Sequence, residues 1–191
     1  MSIDLGMPQA GAPQSAPKSP DRSVRPALAQ DAPQIARIQA ASLKRLFGAN
    51  AQVDEQVLAQ QWATTLTAPA PAGCFTLVAL HANAVAGYAL VVPADDFTAG
   101  DGSAITGSSL IAEMDVDESF RRSGHASRLV QACVDVSRAT ALSTWIDSRD
   151  EARIRFFTSC GFGPAGLRRT FPDMPDVVQH LWWTLAQTSD E

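Results

Sequence analysis

Apolar residues follow two rhythms along the chain. Ile35, Ile38, Leu43 and Leu46 line a helical face that begins behind Asp31, a good N-cap residue, and ends at Gly48-Ala49-Asn50. Val57, Leu58 and Trp62 mark a second helix over residues 53–67, and Leu129, Val130, Cys133, Val134 and Ser137 a third from Gly124 to about Thr140. A fourth helix covers "SRDEARIRFFTSC", with Ser148 and Glu151 spaced as a capping box and Gly161 closing it. The other rhythm is the short apolar run of a strand. It predicts strands at residues 24–27, on both sides of Ala82-Asn83 in "CFTLVALHANAVAGYALVVPA", at about 106–116, in "LSTWIDS", at 167–170 and at 177–185. A polar loop is expected at 95–102. The order is one strand, two helices, three strands, a helix, a strand, a helix and two strands, which is a mixed α/β sheet with helices on its faces.

Composition narrows the class. With 46% hydrophobic residues in 191, the chain affords a sizeable core. Residues 24–187 are expected to form a single domain, preceded by a disordered Pro/Ala-rich tail (1–23) and followed by a short tail (188–191). A net charge of −5 argues against general nucleic-acid binding, which relies on neutralising phosphates. The three cysteines, Cys74, Cys133 and Cys160, are widely spaced and form no CxxC pair, so no structural metal site is expected. No signal peptide and no membrane span are read, and a reducing, cytoplasmic setting is the simplest expectation.

The segment with chemistry is "MDVDESFRRSGHASRLVQACVDVSRA". It runs from a strand across a polar loop into a helix, with Arg121, Arg122 and Gly124 at the crossing. A helix start presents unpaired N–H groups and partial positive charge, a glycine allows close backbone approach, and arginines add charge-assisted hydrogen bonds. An anion, phosphate above all, suits that place. Gly161-x-Gly163-x-x-Gly166 matches a dinucleotide fingerprint only on paper, because a helix precedes it and a strand is expected after it.

Arg121-x-x-Gly124-x-Ala126, the lead-in "EMDVDESF" and the downstream helix ending in Gly161-Phe162 together resemble the GNAT (Gcn5-related) N-acetyltransferase superfamily. The resemblance runs from Val24 to about Ala186. It implies a mixed, mostly antiparallel, splayed sheet of about seven strands flanked by about four helices. It implies that acetyl-CoA (coenzyme A) is used, its pyrophosphate cradled by the loop at Arg121, Arg122, Ser123, Gly124, His125, Ala126 and Ser127. The strand end at Met114, Asp115 and Val116 would pair through its backbone with the pantetheine arm, and a backbone N–H near Val116 would polarise the thioester carbonyl. Family relatives often dimerise, so a homodimer is open.

Two positions depart from the family pattern. Asp150 stands where an asparagine often contacts the pantetheine, and Phe157 where a tyrosine often protonates the leaving thiolate. Asp150 can accept a hydrogen bond but not donate one, and Phe157 has no proton to give. Tyr88, the one tyrosine, lies on another strand and is a distant substitute. Since a lysine-like amine is mostly protonated at pH 7, a base is needed. Glu113 is the candidate, with Asp115 on its face by alternation. Among the remaining residues, His125 is expected to be exposed and His81 and His180 to be scattered. Trp182 and Trp183 should face opposite ways, with Trp145 in the core. Arg168 and Arg169 suit surface charge, the adenosine 3′-phosphate or an acidic acceptor. The leading reading is direct acetyl transfer to a primary amine of a small molecule or protein. The alternative is acyl-CoA binding without transfer, as a sensor or structural protein.

Overall fold

A computed structural model describes residues 22–48 and 51–186. The expected tails therefore lie outside the described residues except for Arg22 and Ser23, and so do Ala49 and Asn50 at the expected helix end. β1 (Val24–Pro26) leads through a 3-10 turn into α1 (Ala32–Phe47). Asp31 stands at the N-cap position of α1, but its side chain does not cap it. Pro33 in the first turn has no N–H to offer, and the Asp31 carboxylate accepts instead from the Leu28 N–H at 2.8 Å and from Arg25 at 2.7 and 2.9 Å. α2 (Glu55–Thr67) starts behind Asp54, whose side chain accepts from the Gln56 and Val57 N–H groups.

The chain then forms the hairpin of β2 (Phe75–His81) and β3 (Ala84–Pro93) around Ala82-Asn83. The expected polar loop contains half of a small ribbon, β4 (Phe97–Thr98) against β5 (Ala104–Ile105), pinned where Phe97 packs on Trp183. β6 (Ser109–Val116), α3 (His125–Ser137), β7 (Ala141–Asp147), α4 (Glu151–Ser159), β8 (Gly163–Phe171) and β9 (Met174–Leu185) follow. The cap of α4 is Asp150, which accepts from the Arg153 N–H at 3.0 Å. The Ser148–Glu151 capping box does not form, because Glu151 is already the first helical residue.

Seven strands make one sheet in the order β1-β2-β3-β6-β7-β9-β8, with β6–β7 its one parallel pair. Alternation along the strands divides the core. Val78, Val85 and Tyr88 pack under Ile35, Ile38 and Trp62 on the α1/α2 face. Leu77, Val91, Ile111, Leu142 and Ile146 pack with Leu129, Cys133 and Phe157 on the α3/α4 face.

The parallel pair determines the site. β6 and β7 are in register only from Ser109↔Leu142 to Ile111↔Thr144, and both strands continue beyond. Hydroxyls of Ser143 and Thr144 donate to the carbonyls of Ser109 and Ile111 at 3.3 and 3.1 Å, fastening the closed end. At that point β6 carries a bulge, since Leu90 faces Glu113 while Val91 faces Ile111, leaving Ala112 as the extra residue. A bulge bends its strand and increases local twist. The two strands therefore diverge into a V.

Candidate active site

The open V forms a cleft of about 810 Å³. Met114, Asp115 and Val116 of β6 line one wall, and Asp147, Asp150, Ala152, Arg153 and Phe156 the other. Arg121, Arg122 and Ala126 close one end, and Ser42, Arg45 and Leu46 of α1 reach it from the opposite face. Asp117 N–H bonds to Ala86 O of β3, so by alternation Met114 and Val116 turn their backbone groups toward the gap. Past Ile111 no strand of the sheet pairs with that edge.

The loop after β6 turns with Arg122 and Gly124 at positive φ, 60° and 78°. Asp54 and Asp150 cap α2 and α4, whereas α3 has no side-chain cap and no acidic residue in its first turn. Its first N–H groups and the positive end of its dipole are left for an external anion. Arg121 and Arg122 stand exposed beside them.

Other expected site residues are placed differently. Ser127 lines a separate groove between α3 and the end of α4. Ser123 points its carbonyl at Arg22, which donates to it at 3.2 Å. His125 is 1% exposed, against the expectation of exposure. It packs across Phe120 and lies 3.1 Å through Nε2 from Nδ1 of His81. Burial first, then the proximity of His81, Arg22 and Arg128, lowers the His125 pKa. Asp150 lines the cleft, but one of its oxygens is committed to capping α4. Phe157 is 0% exposed, edge-on to Phe156 and Phe162 in the core, and its neighbour Phe156 lines the cleft. The Val116 N–H, expected to be free for a carbonyl, donates to Asp115 Oδ1 at 3.0 Å. Arg45 in turn holds Asp115 through both oxygens at 3.0 Å.

Glu113 sits at the bulge, half-buried, on the α1/α2 face. Gln39 Nε2 donates to its Oε2 at 2.8 Å, and the Tyr88 hydroxyl donates to the same oxygen at 3.0 Å. The Gln39 amide is itself oriented, because Trp62 Nε1 donates to its Oε1 at 2.8 Å. An indole N–H can only donate, so the amide must turn its nitrogen to the carboxylate. Oε1 of Glu113 has no donor among the described residues. Burial pushes the Glu113 carboxyl above its ordinary value, and Tyr88, Gln39 and Arg153 pull it partly back. Burial together with the Glu113 charge drives the Tyr88 phenol far upward, so it remains a donor. Tyr88 is thus the direct neighbour of the candidate base rather than a distant residue. Gln39, Trp62, Arg45, Arg153 and Phe156 had no distinguishing signal in the sequence, since each partner is brought by tertiary packing.

The V in the mixed sheet thus brings an unpaired strand edge and an uncapped helix start together, with the half-buried Glu113 on the same strand. A family profile described as acetyltransferase (GNAT) family matches residues 38–162, and the chain belongs to that family. The family uses acetyl-CoA. The fold is shared with a putative GNAT acetyltransferase from Desulfovibrio desulfuricans at 16% identity, TM-score 0.67, covering 87% of this chain and 100% of that one. It is shared with yncA, a putative acetyltransferase from Salmonella typhimurium solved with its cofactor acetyl-CoA, at 16% identity, TM-score 0.62, covering 90% and 97%. It is also shared with the ribosomal-protein-alanine N-acetyltransferase from Brucella melitensis at 20% identity, TM-score 0.61, covering 85% and 99%. A comparison with curated protein sequences finds no match. No helix among the described residues is long and apolar enough to cross a membrane.

Proposed function

We propose that the protein is an acetyl-CoA-dependent N-acetyltransferase that acts on a primary amine by direct transfer. The observation that carries this reading is the end of the β6–β7 ladder at Ile111↔Thr144, next to a bulge that carries Glu113. The residues fit the cofactor: an unpaired strand edge suits an amide-containing arm, and the uncapped start of α3 with Arg121 and Arg122 suits a pyrophosphate.

When bound, acetyl-CoA supplies an activated acetyl thioester. The chain's residues do the rest. Arg121, Arg122 and the first N–H groups of α3 hold negative charge. The backbone of Met114 and Val116 orients the arm, and Asp115 must release the Val116 N–H before that group can serve as a donor. Glu113 takes a proton from the acceptor ammonium, directly or through water, at Oε1, while Tyr88 and Gln39 fix Oε2. With Phe157 in the core, this chain supplies no side-chain acid at that position, so a proton for the coenzyme thiolate would have to come from elsewhere. Its thiol pKa, about that of free cysteine at 8.5, allows this.

The test is Glu113→Gln assayed with acetyl-CoA and a panel of primary amines. Turnover in the wild type that is lost in the variant, with acetyl-CoA affinity retained, supports the reading. Equal turnover in both removes Glu113 from the mechanism.

A further inference from the structure

A buried donor in the cleft has nothing to bond. Arg153 is half-buried in the first turn of α4 and lines the cleft wall opposite Met114 and Val116. Its Nε is shut off from solvent and has no hydrogen-bond partner among the described residues. Its guanidinium carbon lies 5.7 Å from the centre of the Phe157 ring, one helical turn along. A ring face holds a cation in place without neutralising it and leaves its N–H edges available.

The carboxylates beside it are engaged elsewhere. Arg45 binds Asp115, Arg149 binds Asp147, and one Asp150 oxygen caps α4 by accepting from the Arg153 backbone N–H. Arg153 has no carboxylate partner of its own among the described residues. Arg122 has none either, but it stands exposed in the loop before α3. Arg153 serves a different place, because its charge acts on Glu113 and on the Tyr88 hydroxyl, beside the closed end of the V. Buried N–H groups are normally paired, so an orphan in a cleft suits an acceptor brought by a ligand.

We propose that Arg153, steadied on Phe157, receives the thiolate that leaves during acetyl transfer. This rests on the transferase reading. An amine nitrogen at Glu113 Oε1 is about 3 Å from that oxygen, and the thioester carbon it attacks is about 3 Å further on. The sulfur is bonded to that carbon. With the arm along Met114 and Val116, it lies between that strand edge and the α4 wall, where the guanidinium stands. The acceptor nitrogen bonds to the carbonyl carbon, and the carbon–sulfur bond breaks with its electron pair going to sulfur. The ammonium loses two protons, one before attack and one as the amide forms, and both pass through Glu113 or its water to solvent. A guanidinium keeps its proton in this range, so it acts by charge and hydrogen bonding and not as an acid. The products are an N-acetyl amine, coenzyme A thiolate and two protons. No general acid is then required, which is consistent with a phenyl ring at position 157.

The experiment titrates the thiol of bound coenzyme A through its ultraviolet thiolate absorbance, in the wild type, Arg153→Gln and Arg153→Lys. A parallel sample saturated with desulfo-coenzyme A subtracts the protein's own cysteines and tyrosine. A cation in contact lowers the pKa of an acid by about 1–3. The wild-type thiol should therefore titrate at least about one pH unit below free coenzyme A. Arg153→Gln should return it to the free value, and Arg153→Lys should keep part of the difference. Circular dichroism confirms that each variant is folded. The thiol reading decides, because losing a positive charge near Glu113 also moves the acid limb of the rate profile. A wild-type thiol at or above the free value, or a lowered value that survives in folded Arg153→Gln, would overturn the thiolate role and leave the transferase reading standing. No binding of coenzyme A to the wild type would overturn both.

Discussion

The hydroxyl of Tyr88 donates to Oε2 of Glu113 at 3.0 Å, across the two central strands β3 and β6. Tyr88 is 2% exposed, so this bond is made out of reach of competing water. The tyrosine stabilises the charged carboxylate that burial opposes. Tyr88→Phe is expected to raise the Glu113 pKa and move the acid limb of the kcat/KM profile to higher pH. It should cost on the order of 1 kcal/mol of stability, as for one buried hydrogen bond. A pH–rate profile that stays in place while stability falls would make the contact purely structural.

Gln39→Leu removes the second donor, and Trp62→Phe removes the group that orients it. Both should move the acid limb in the same direction as Tyr88→Phe, with Trp62→Phe the smaller effect because the amide can still rotate back. The pair Tyr88→Phe/Gln39→Leu should be more than additive, since both donors share one oxygen. A thermodynamic cycle on the limb pKa checks this.

Glu113→Gln should lower kcat by on the order of 10²–10⁴, the usual worth of a general base. It should also remove one pH-dependent contribution to stability. The folded pKa is raised, so between the ordinary carboxylate value and that raised value the folded state binds more protons than the unfolded one. Stability tied to Glu113 therefore falls as pH rises through that window. Urea midpoints across the acid range, in wild type and variant, measure the difference.

His125 has the opposite sign. Its folded pKa is held below the ordinary histidine value, so on acidification the unfolded chain takes up this proton first. Stability tied to His125 is intact above about pH 6.5 and is lost as pH falls toward the folded value. His125→Gln should flatten that slope.

Phe157→Ala should destabilise by about 3–5 kcal/mol, the usual cost of emptying a buried phenylalanine site. The ring is 0% exposed and braced by Phe156 and Phe162. Chemical denaturation reads this directly. A loss under about 1 kcal/mol would mean that the ring is not part of the core.

The strand-loop-helix crossing was legible because its signals are local. An alternating strand, a polar loop with Gly124 and a three-four apolar spacing lie within one short segment. The gap beside β6 was legible only through the family resemblance, since a bulge at Ala112 leaves no mark in composition. The contacts that define the chemistry join distant positions. Tyr88 and Glu113 are 25 residues apart, His81 and His125 44, and Gln39 and Glu113 74. Register and helix packing bring them together, and no spacing rule in a single sequence reports either. Trp145, expected in the core, is half-buried on the face of β7 opposite Ile146, with the Arg169 guanidinium over its ring, a contact between distant positions that the sequence does not signal.

The most direct measurement is calorimetric titration of acetyl-CoA into the wild type and into Arg122→Glu/Gly124→Glu. Gly124 has φ +78°, and a side chain there also meets Arg128 Nη1 at 3.1 Å, so the variant's fold is confirmed first by circular dichroism. The expected result is wild-type binding that the folded double variant loses. Equal binding in both, or none in the wild type, would contradict the claim that this loop holds the cofactor.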